Sequence, residues 1–370
     1  MKGKRIVVSV ISDLVSDQRV HKVCTYLHQK GYVVMLIGRR FTTSAPLEKR
    51  IYKTERISCS FKKGMAQYAE FNFKLFLTLL RKRTDVFLAN DLDTLVPNYL
   101  NSILRKKALV YDSHEYFIGT PELQEKPLKR KLWKTIESLL LPKIKRAYTV
   151  NQSIAELYKN ECGINMKVVR NVPICQHPVV IPDLHPFPLG KFVLLLQGAG
   201  INKERGAEEL VKSMQLIPDQ FLLVFIGSGD AWQDLQAMTK TLGLTHKIQF
   251  IRKVPFDKLS DYTRAAHLGI SLDKPTCINY ALSLPNKLFD YIHSGLPVLA
   301  SNVVEVKRIV DTYNIGMCIS EVSPKAIAEA ILWIYNNKAL YDTWKQNTIA
   351  AAREFCWEKE QLVLDKIFTD

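Results

Sequence analysis

Lys287 and Asp290 stand three residues apart in "SLPNKLFDYIHSGLPVLAS", residues 283–301. Positions i and i+3 share one face of a helix. An ammonium and a carboxylate so placed either pair with each other on a solvated face or grip one ligand. In the second case the ammonium takes a phosphate and the carboxylate takes hydroxyls. Local signals frame a short helix. Ser283 is a candidate N-cap and Pro285 suits the first turn. Gly295 suits the C′ position, with Pro297 beyond it, and "VLAS" reads as a short buried strand.

Other stretches carry chemistry too. "QGAGINKERGAEEL" (197–210) runs from a strand through Gly198 and Gly200 to a helix start. Unpaired N–H groups there suit an anion, and Lys203 and Arg205 add positive charge. "FIGSGDAWQDL" (225–235) repeats the strand–glycine–helix turn at Gly227, as a structural turn or as a ligand contact. Val254 and Pro255 form a turn whose backbone groups are free to meet a base. "VYDSHEYF" sets His114 and Glu115 just past a strand end. "NDLDTL" (90–95) holds Asp91 and Asp93 as D-x-D, but two carboxylates alone do not make a magnesium site. Asp93 is a candidate N-cap for the helix that follows. The seven cysteines show no C-x-x-C and no pairing with His, which suits a reducing cytosol and argues against zinc. No G-x-x-x-x-G-K-[ST] is present, which argues against a P-loop kinase or ATPase.

The elements that must position these groups alternate. "RIVVSVI", "YVVMLIG", "DVFLAN", "ALVYDS", "AYTVN" and "VVRNV" read as strands. Helices over 17–30, 61–81, 93–105, 126–146 and 152–160 fall between them. Near-continuous apolar strands separated by helices mean a parallel sheet covered on both faces. "VPICQHPVVIPDLHPFPLG" (172–190) carries five prolines and reads as an extended linker. The alternation then restarts with strands "KFVLLLQ", "FLLVFIG", "KIQFIR", "LGISLD" and "VLAS". The expected domains are 1–171 and 191–355, joined by 172–190, with a terminal helix over 356–370 that packs back on the first domain. Ligands of such sheets bind at the carboxyl ends of the strands, so an active site in a cleft between the domains is expected.

Net charge is +16 over 370 residues, and it is uneven. Residues 1–185 hold 32 Lys+Arg against 16 Asp+Glu, and residues 186–370 hold 20 against 20. The first half therefore faces an anionic partner. Within it, "KPLKRKLWKTIESLLLPKIKR" (126–146) holds eight Lys/Arg and one acid. Lys129, Arg130, Lys131 and Lys134 beside Trp133 and leucines suggest an interfacial helix on an anionic membrane, as against an ordinary packed helix with a basic outer face. No nucleic-acid-binding motif accompanies the charge. The apolar runs are too short to span a bilayer, and the amino terminus reads as a strand, not a signal peptide.

"QGAG…ERG", "VFIGSGD", "FIRKVP" with "AAHLGISL", and "LPNKLFDYIHSGLPVLAS" follow the order and spacing of retaining GT-B glycosyltransferases, glycosyltransferase family 4. The first half is similar in "SDQRVHKVCTYLHQKGYVVMLI", "ANDLDTLVPNYL", "LVYDSHEYF" and "AYTVNQSIAELY", so nearly the whole chain resembles that family. The resemblance implies an α/β, GT-B fold of two doubly wound Rossmann-like domains facing across a cleft. It implies a nucleotide-sugar donor, expected to be a UDP-sugar, held by the second domain and no metal or other cofactor. Arg205 and Lys287 would neutralise the diphosphate and Asp290 would bind the ribose hydroxyls. Gly198, Gly200, Lys203, Gly227, Val254 and Asn286 complete the implied donor site. His114, with Glu115 and Asp91, is the implied active-site group, and Asp93 the implied contact to acceptor hydroxyls. Two departures stand out. The first of two family glutamates falls at Leu282, and Asp17 and Arg19, expected as acceptor or cleft residues, occupy the first loop where many members carry a glycine pair.

The resulting expectation is a cytoplasmic, membrane-peripheral transferase acting on a carbohydrate or lipid-linked acceptor in glycan biosynthesis. A sugar-nucleotide epimerase of the same architecture and a non-catalytic nucleotide- or membrane-binding partner of a transferase are the alternatives.

Overall fold

"VFLAN" and "FLLVFIG" are apolar at nearly every position, and every residue of both strands is buried. That pattern requires helices on both faces of the sheet. The computed structural model describes residues 3–175 and 186–368. The chain divides into two units, Met1–Asn171 with Gln361–Asp370, and Val172–Glu360. Residues 176–185, the middle of the expected linker, lie outside the described residues.

The first unit holds β1 (Arg5–Ser9), β2 (Val33–Arg40), β3 (Lys53–Ser58), β4 (Val86–Asn90), β5 (Ala108–Ser113), β6 (Arg146–Thr149) and β7 (Lys167–Val168). They form one parallel sheet in the order β3-β2-β1-β4-β5-β6-β7. The second holds β8 (Phe192–Gly198), β9 (Phe221–Gly227), β10 (Ile248–Arg252), β11 (Leu268–Ser271), β12 (Val298–Ser301) and β13 (Gly316–Ile319). Its order is β10-β9-β8-β11-β12-β13, again parallel. Both sheets reverse direction of winding once, between β1 and β4 and between β8 and β11. The expected α/β class with two doubly wound sheets is what the structure contains.

Three local readings change. The edge strand β3, "KTERIS", is absent from the sequence reading because only Ile57 of its six residues is apolar and only one side of it pairs. Edge strands tolerate charge, so no apolar run announces them. "VVRNV" contributes only the two-residue β7. The helix at the opening motif spans Asn286–His293 with Pro285 at its N-cap position, so Ser283 lies too early to cap it. At its other end Gly295 has φ +71, and Leu296 N–H donates to the Tyr291 carbonyl at 3.0 Å, a left-handed stop of the expected kind.

The terminal helix Trp357–Phe368 ends in the first unit. Its Asp365 accepts from Tyr26 at 2.5 Å and pairs with Lys30 at 2.7 Å, while Tyr32 donates to the Phe368 carbonyl. The cysteines are less scattered in space than in sequence. The Cys175 and Cys356 sulfurs and a Glu358 oxygen lie within 4.8 Å of one another.

Candidate functional site

Open parallel sheets bind ligands outside the carboxyl ends of the strands where the order reverses. In the second unit those ends belong to β8 and β11. Gly206 has φ +74, and a Cβ on it would lie 2.3 Å from the Leu272 carbonyl oxygen. Only glycine lets the 204–206 loop rest against the end of β11. Lys274 N–H donates to the Glu204 carbonyl at 3.4 Å from the same place. The contact brings the Arg205 guanidinium to Asp273, Nε to Oδ1 3.8 Å, and over the Tyr280 ring at 4.6 Å. Lys287, in the first turn of its helix, puts Nζ 3.9 Å from the same Asp273 oxygen. Burial favours the neutral form of Lys287 and lowers its pKa, with Asp273 opposing that and Arg205 adding to it.

Lys287 and Asp290 therefore do not pair with each other. Asp290 accepts from Gln197 Nε2 at 3.1 Å, and Gln197 Oε1 accepts from the Thr263 hydroxyl at 2.7 Å. Asp290, Gln197 and Thr263 border a small pocket with Ser260 and His293.

The glycine turns differ in what they do. A Cβ on Gly227 would lie 1.8 Å from the Gly198 carbonyl oxygen, so this glycine lets the second turn pack on the first. A Cβ on Gly200 would meet nothing closer than Asn202 Nδ2 at 3.6 Å, which leaves that backbone open to a ligand. Lys203 pairs with Asp234 at 2.8 Å, so its ammonium is engaged there. Val254 packs against the core, and Asn286 is exposed at the helix start.

In the first unit the corresponding ends belong to β1, β4 and β5. His114 lies between two carboxylates. Nδ1 is 3.2 Å from Asp91, Nε2 is 3.2 Å from Asp112 and from Asn90 Oδ1, and the His114 N–H donates to Asp91 at 2.8 Å. Burial disfavours its charged form, yet Asp91 and Asp112 outweigh burial and raise the pKa to about 9. The ring is an imidazolium at neutral pH with both nitrogens engaged, suited to fixed positive charge and not to accepting a proton. Asp91 sits at φ 58 and ψ 167, a strained conformation for a residue with a Cβ.

Arg19 is buried and forms a two-point pair with Asp112, Nε at 3.0 Å and Nη2 at 2.7 Å, and donates to the Val169 carbonyl at 2.8 Å. Burial opposes ionisation of Asp112, but Arg19 and then His114 hold its pKa down at about 2. Arg19 thus braces the His114 partner from below and is not a surface contact, contrary to its expected place in the cleft. Asp17 caps the helix Gln18–Gln29, accepting from Val20 N–H at 3.0 Å. Asp93 corrects the sequence reading. The N-cap position of helix Leu92–Leu104 is Asp91, and Asp93 lies buried in the first turn with its pKa pushed well up by burial and by Asp91. Glu115 is half-buried, and its carbonyl accepts from Ser113 at 2.7 Å.

The basic helix is Pro127–Leu140, followed by a 3₁₀ turn at Leu141–Lys143. Trp133 was expected on its membrane face, but it is 4% exposed and packs edge-on against Tyr68 and Phe117 at 5.4 and 5.1 Å. Lys134 is also drawn inward, paired with Glu161 and with Glu137. Arg130 donates to the Ile118 carbonyl. Lys131 is exposed and Lys129 partly so, with Leu128, Leu132 and Leu139 on the outside.

Sequence reasoning missed Gln197, Thr263, Asp273 and Tyr280. Gln197 and Asp273 each had a faint signal, a polar residue closing an apolar strand. Thr263 and Tyr280 had none, because their role depends on which strand ends meet their helices.

Comparison with known proteins adds a family. The family described as glycosyl transferases group 1 matches residues 185–351, and glycosyltransferase family 4 matches residues 17–173. The chitobiosyldiphosphodolichol beta-mannosyltransferase of Candida glabrata is 23% identical over 231 residues, 54% of this chain and 50% of that protein. The chain spans about half the length of the curated relatives it matches. Sucrose-phosphate synthase from Thermosynechococcus elongatus has the same fold, with TM-score 0.81 and 16% identity over 99% of this chain and 98% of that one. Anabaena HepE in complex with UDP and glucose follows, with TM-score 0.77 and 16% identity over 99% of each chain.

Proposed function

Since the chain belongs to the group 1, family 4-type glycosyltransferases, we propose that it moves a hexose-type sugar from a nucleoside diphosphate to an acceptor hydroxyl. The donor is a UDP-sugar, the anomeric configuration is retained, and the acceptor is a carbohydrate or a lipid-linked glycan. The observation that carries this reading is the pair Arg205 and Lys287, two cations converging on the end of β11 with neither in hydrogen-bond contact with Asp273. Such a pair suits the charge that develops on a leaving diphosphate, stabilised by groups already in position. Asp290, steadied by Gln197, is the hydroxyl acceptor for the ribose. The UDP complex of HepE supports uridine as the base. Protein cations take the part a metal plays elsewhere, so no metal is needed.

On the acceptor side, the His114 imidazolium between Asp91 and Asp112 is a fixed cation with carboxylates around it. It orients hydroxyls and balances negative charge; it does not carry the proton.

A cytoplasmic, membrane-peripheral location is part of the proposal. Among the described residues no helix is long and apolar enough to cross a membrane. The outward Leu128, Leu132 and Leu139, and a groove of about 410 Å³ bordered by Lys107, Lys143, Lys145 and Arg146, suit an anionic lipid surface.

The test is transfer or donor hydrolysis by the purified chain with a panel of nucleotide sugars. Activity that disappears in Asp290→Ala supports the proposal, and a wild-type chain that neither binds nor turns over any of them ends it. Flotation with vesicles of phosphatidylglycerol, compared with phosphatidylcholine, tests the membrane part. Equal flotation after Lys143, Lys145 and Arg146 are changed to Ala removes it.

A further inference from the structure

Asp273 is 2% exposed, and among the described residues neither of its carboxylate oxygens has a hydrogen-bond partner. Buried carboxylates are almost always satisfied, and one that is not calls for a reason. The two cations nearest to it do not supply one. Arg205 and Lys287 stop at 3.8 and 3.9 Å, beyond hydrogen-bond reach.

The surroundings place Arg205 and the Asp273 backbone. Arg205 is stacked on Tyr280, and its backbone is pinned by Gly206 against Leu272. Asp273 is anchored through its carbonyl, which accepts from the Ser301 hydroxyl at 2.6 Å. The result is a buried carboxylate that stands between two cations without a hydrogen bond to either.

An ionised carboxylate accepts only, so what completes it must donate O–H or N–H. The same ligand must also bring negative charge for Arg205 and Lys287. A bare phosphate answers the cations but is repelled by Asp273. A sugar carrying a phosphate at one carbon and hydroxyls at its neighbours answers all three. We propose that Asp273 binds a hydroxyl of the donor sugar and so sets which sugars are accepted. The inference rests on the donor-binding reading above.

The experiment uses the full chain with UDP, UDP-glucose and the monodeoxy analogues of UDP-glucose, followed by calorimetry. For wild type, one deoxy analogue is expected to bind at least roughly tenfold more weakly than UDP-glucose, as sites built around a hydroxyl reject ligands lacking it. Asp273→Asn is expected to bind UDP at least as tightly as wild type, since it removes a charge that repels phosphate and leaves Arg205 and Lys287 in place. It is also expected to treat that analogue and UDP-glucose alike. Asp273→Ser, checked by its melting temperature, repeats the measurement if the Asn variant folds poorly. If the variants lose UDP affinity while keeping wild-type discrimination among sugars, Asp273 is only a counter-ion and the inference is overturned. If wild type binds neither UDP nor UDP-glucose, the donor reading falls and the inference falls with it.

Discussion

Lys287 and Asp290 are one helical turn apart, yet each is turned to a different partner. Lys287 reaches Asp273 at 3.9 Å, and Asp290 accepts from Gln197 at 3.1 Å. The i,i+3 ion pair that their spacing permits is absent. Each charge faces a residue at a strand end, Asp273 just past β11 for Lys287 and Gln197 in β8 for Asp290. The two side chains are therefore placed by different parts of the sheet and not by each other.

Gly206→Ala tests how Arg205 is placed. The new Cβ would lie 2.3 Å from the Leu272 carbonyl at a φ of +74, so the loop must move. A destabilisation of roughly 1–3 kcal/mol is expected from the strained backbone. UDP affinity is expected to fall as well, because Arg205 leaves Asp273. Calorimetric titration of UDP checks this, and unchanged affinity would show that Arg205 does not need the loop.

Arg19→Ala leaves Asp112 buried with only His114 as a cationic neighbour. Removing one member of a buried pair costs about 3–5 kcal/mol. Chemical denaturation should show that loss, and His114 should titrate differently by NMR. Arg19→Lys is expected to rescue only part of the stability, since a single ammonium cannot reproduce the two-point contact.

The His114 pKa, raised to about 9 from 6.5, fixes the sign of a pH effect. The charged ring stabilises the fold fully below pH 6.5, and the contribution is lost as pH rises through about 9. Comparing wild type with His114→Gln removes other titrating groups. The stability difference is expected to be on the order of 3 kcal/mol at pH 6 and to shrink toward zero above pH 10. A difference that is flat with pH would mean that the ring is neutral throughout.

Trp133→Ala separates packing from membrane contact. The indole is buried against Tyr68 and Phe117, so truncation is expected to cost about 3–5 kcal/mol. Binding to phosphatidylglycerol vesicles below the melting temperature should not change. Loss of vesicle binding in a folded variant would return Trp133 to the surface role that its sequence context suggests.

What the sequence determined by itself is the architecture and the short list of reactive groups. Alternating apolar strands and amphipathic helices are local patterns, and helix stops such as Gly295 are local too. Two doubly wound units were therefore legible in residue order alone. The edge strand β3 was not, because one-sided pairing asks for little apolar character.

Only the tertiary structure decided what each charge faces. Arg19 and Asp112 are 93 residues apart, and Gln197 and Asp290 are 93 apart as well. Such partners are chosen by strand order and register, which no local spacing encodes. The same holds for Trp133, whose apolar neighbours come from other segments and turn an apparent surface anchor into core. Asp273 looks in sequence like an ordinary acid after a strand. It becomes conspicuous only when folding buries it between two cations and leaves it unsatisfied.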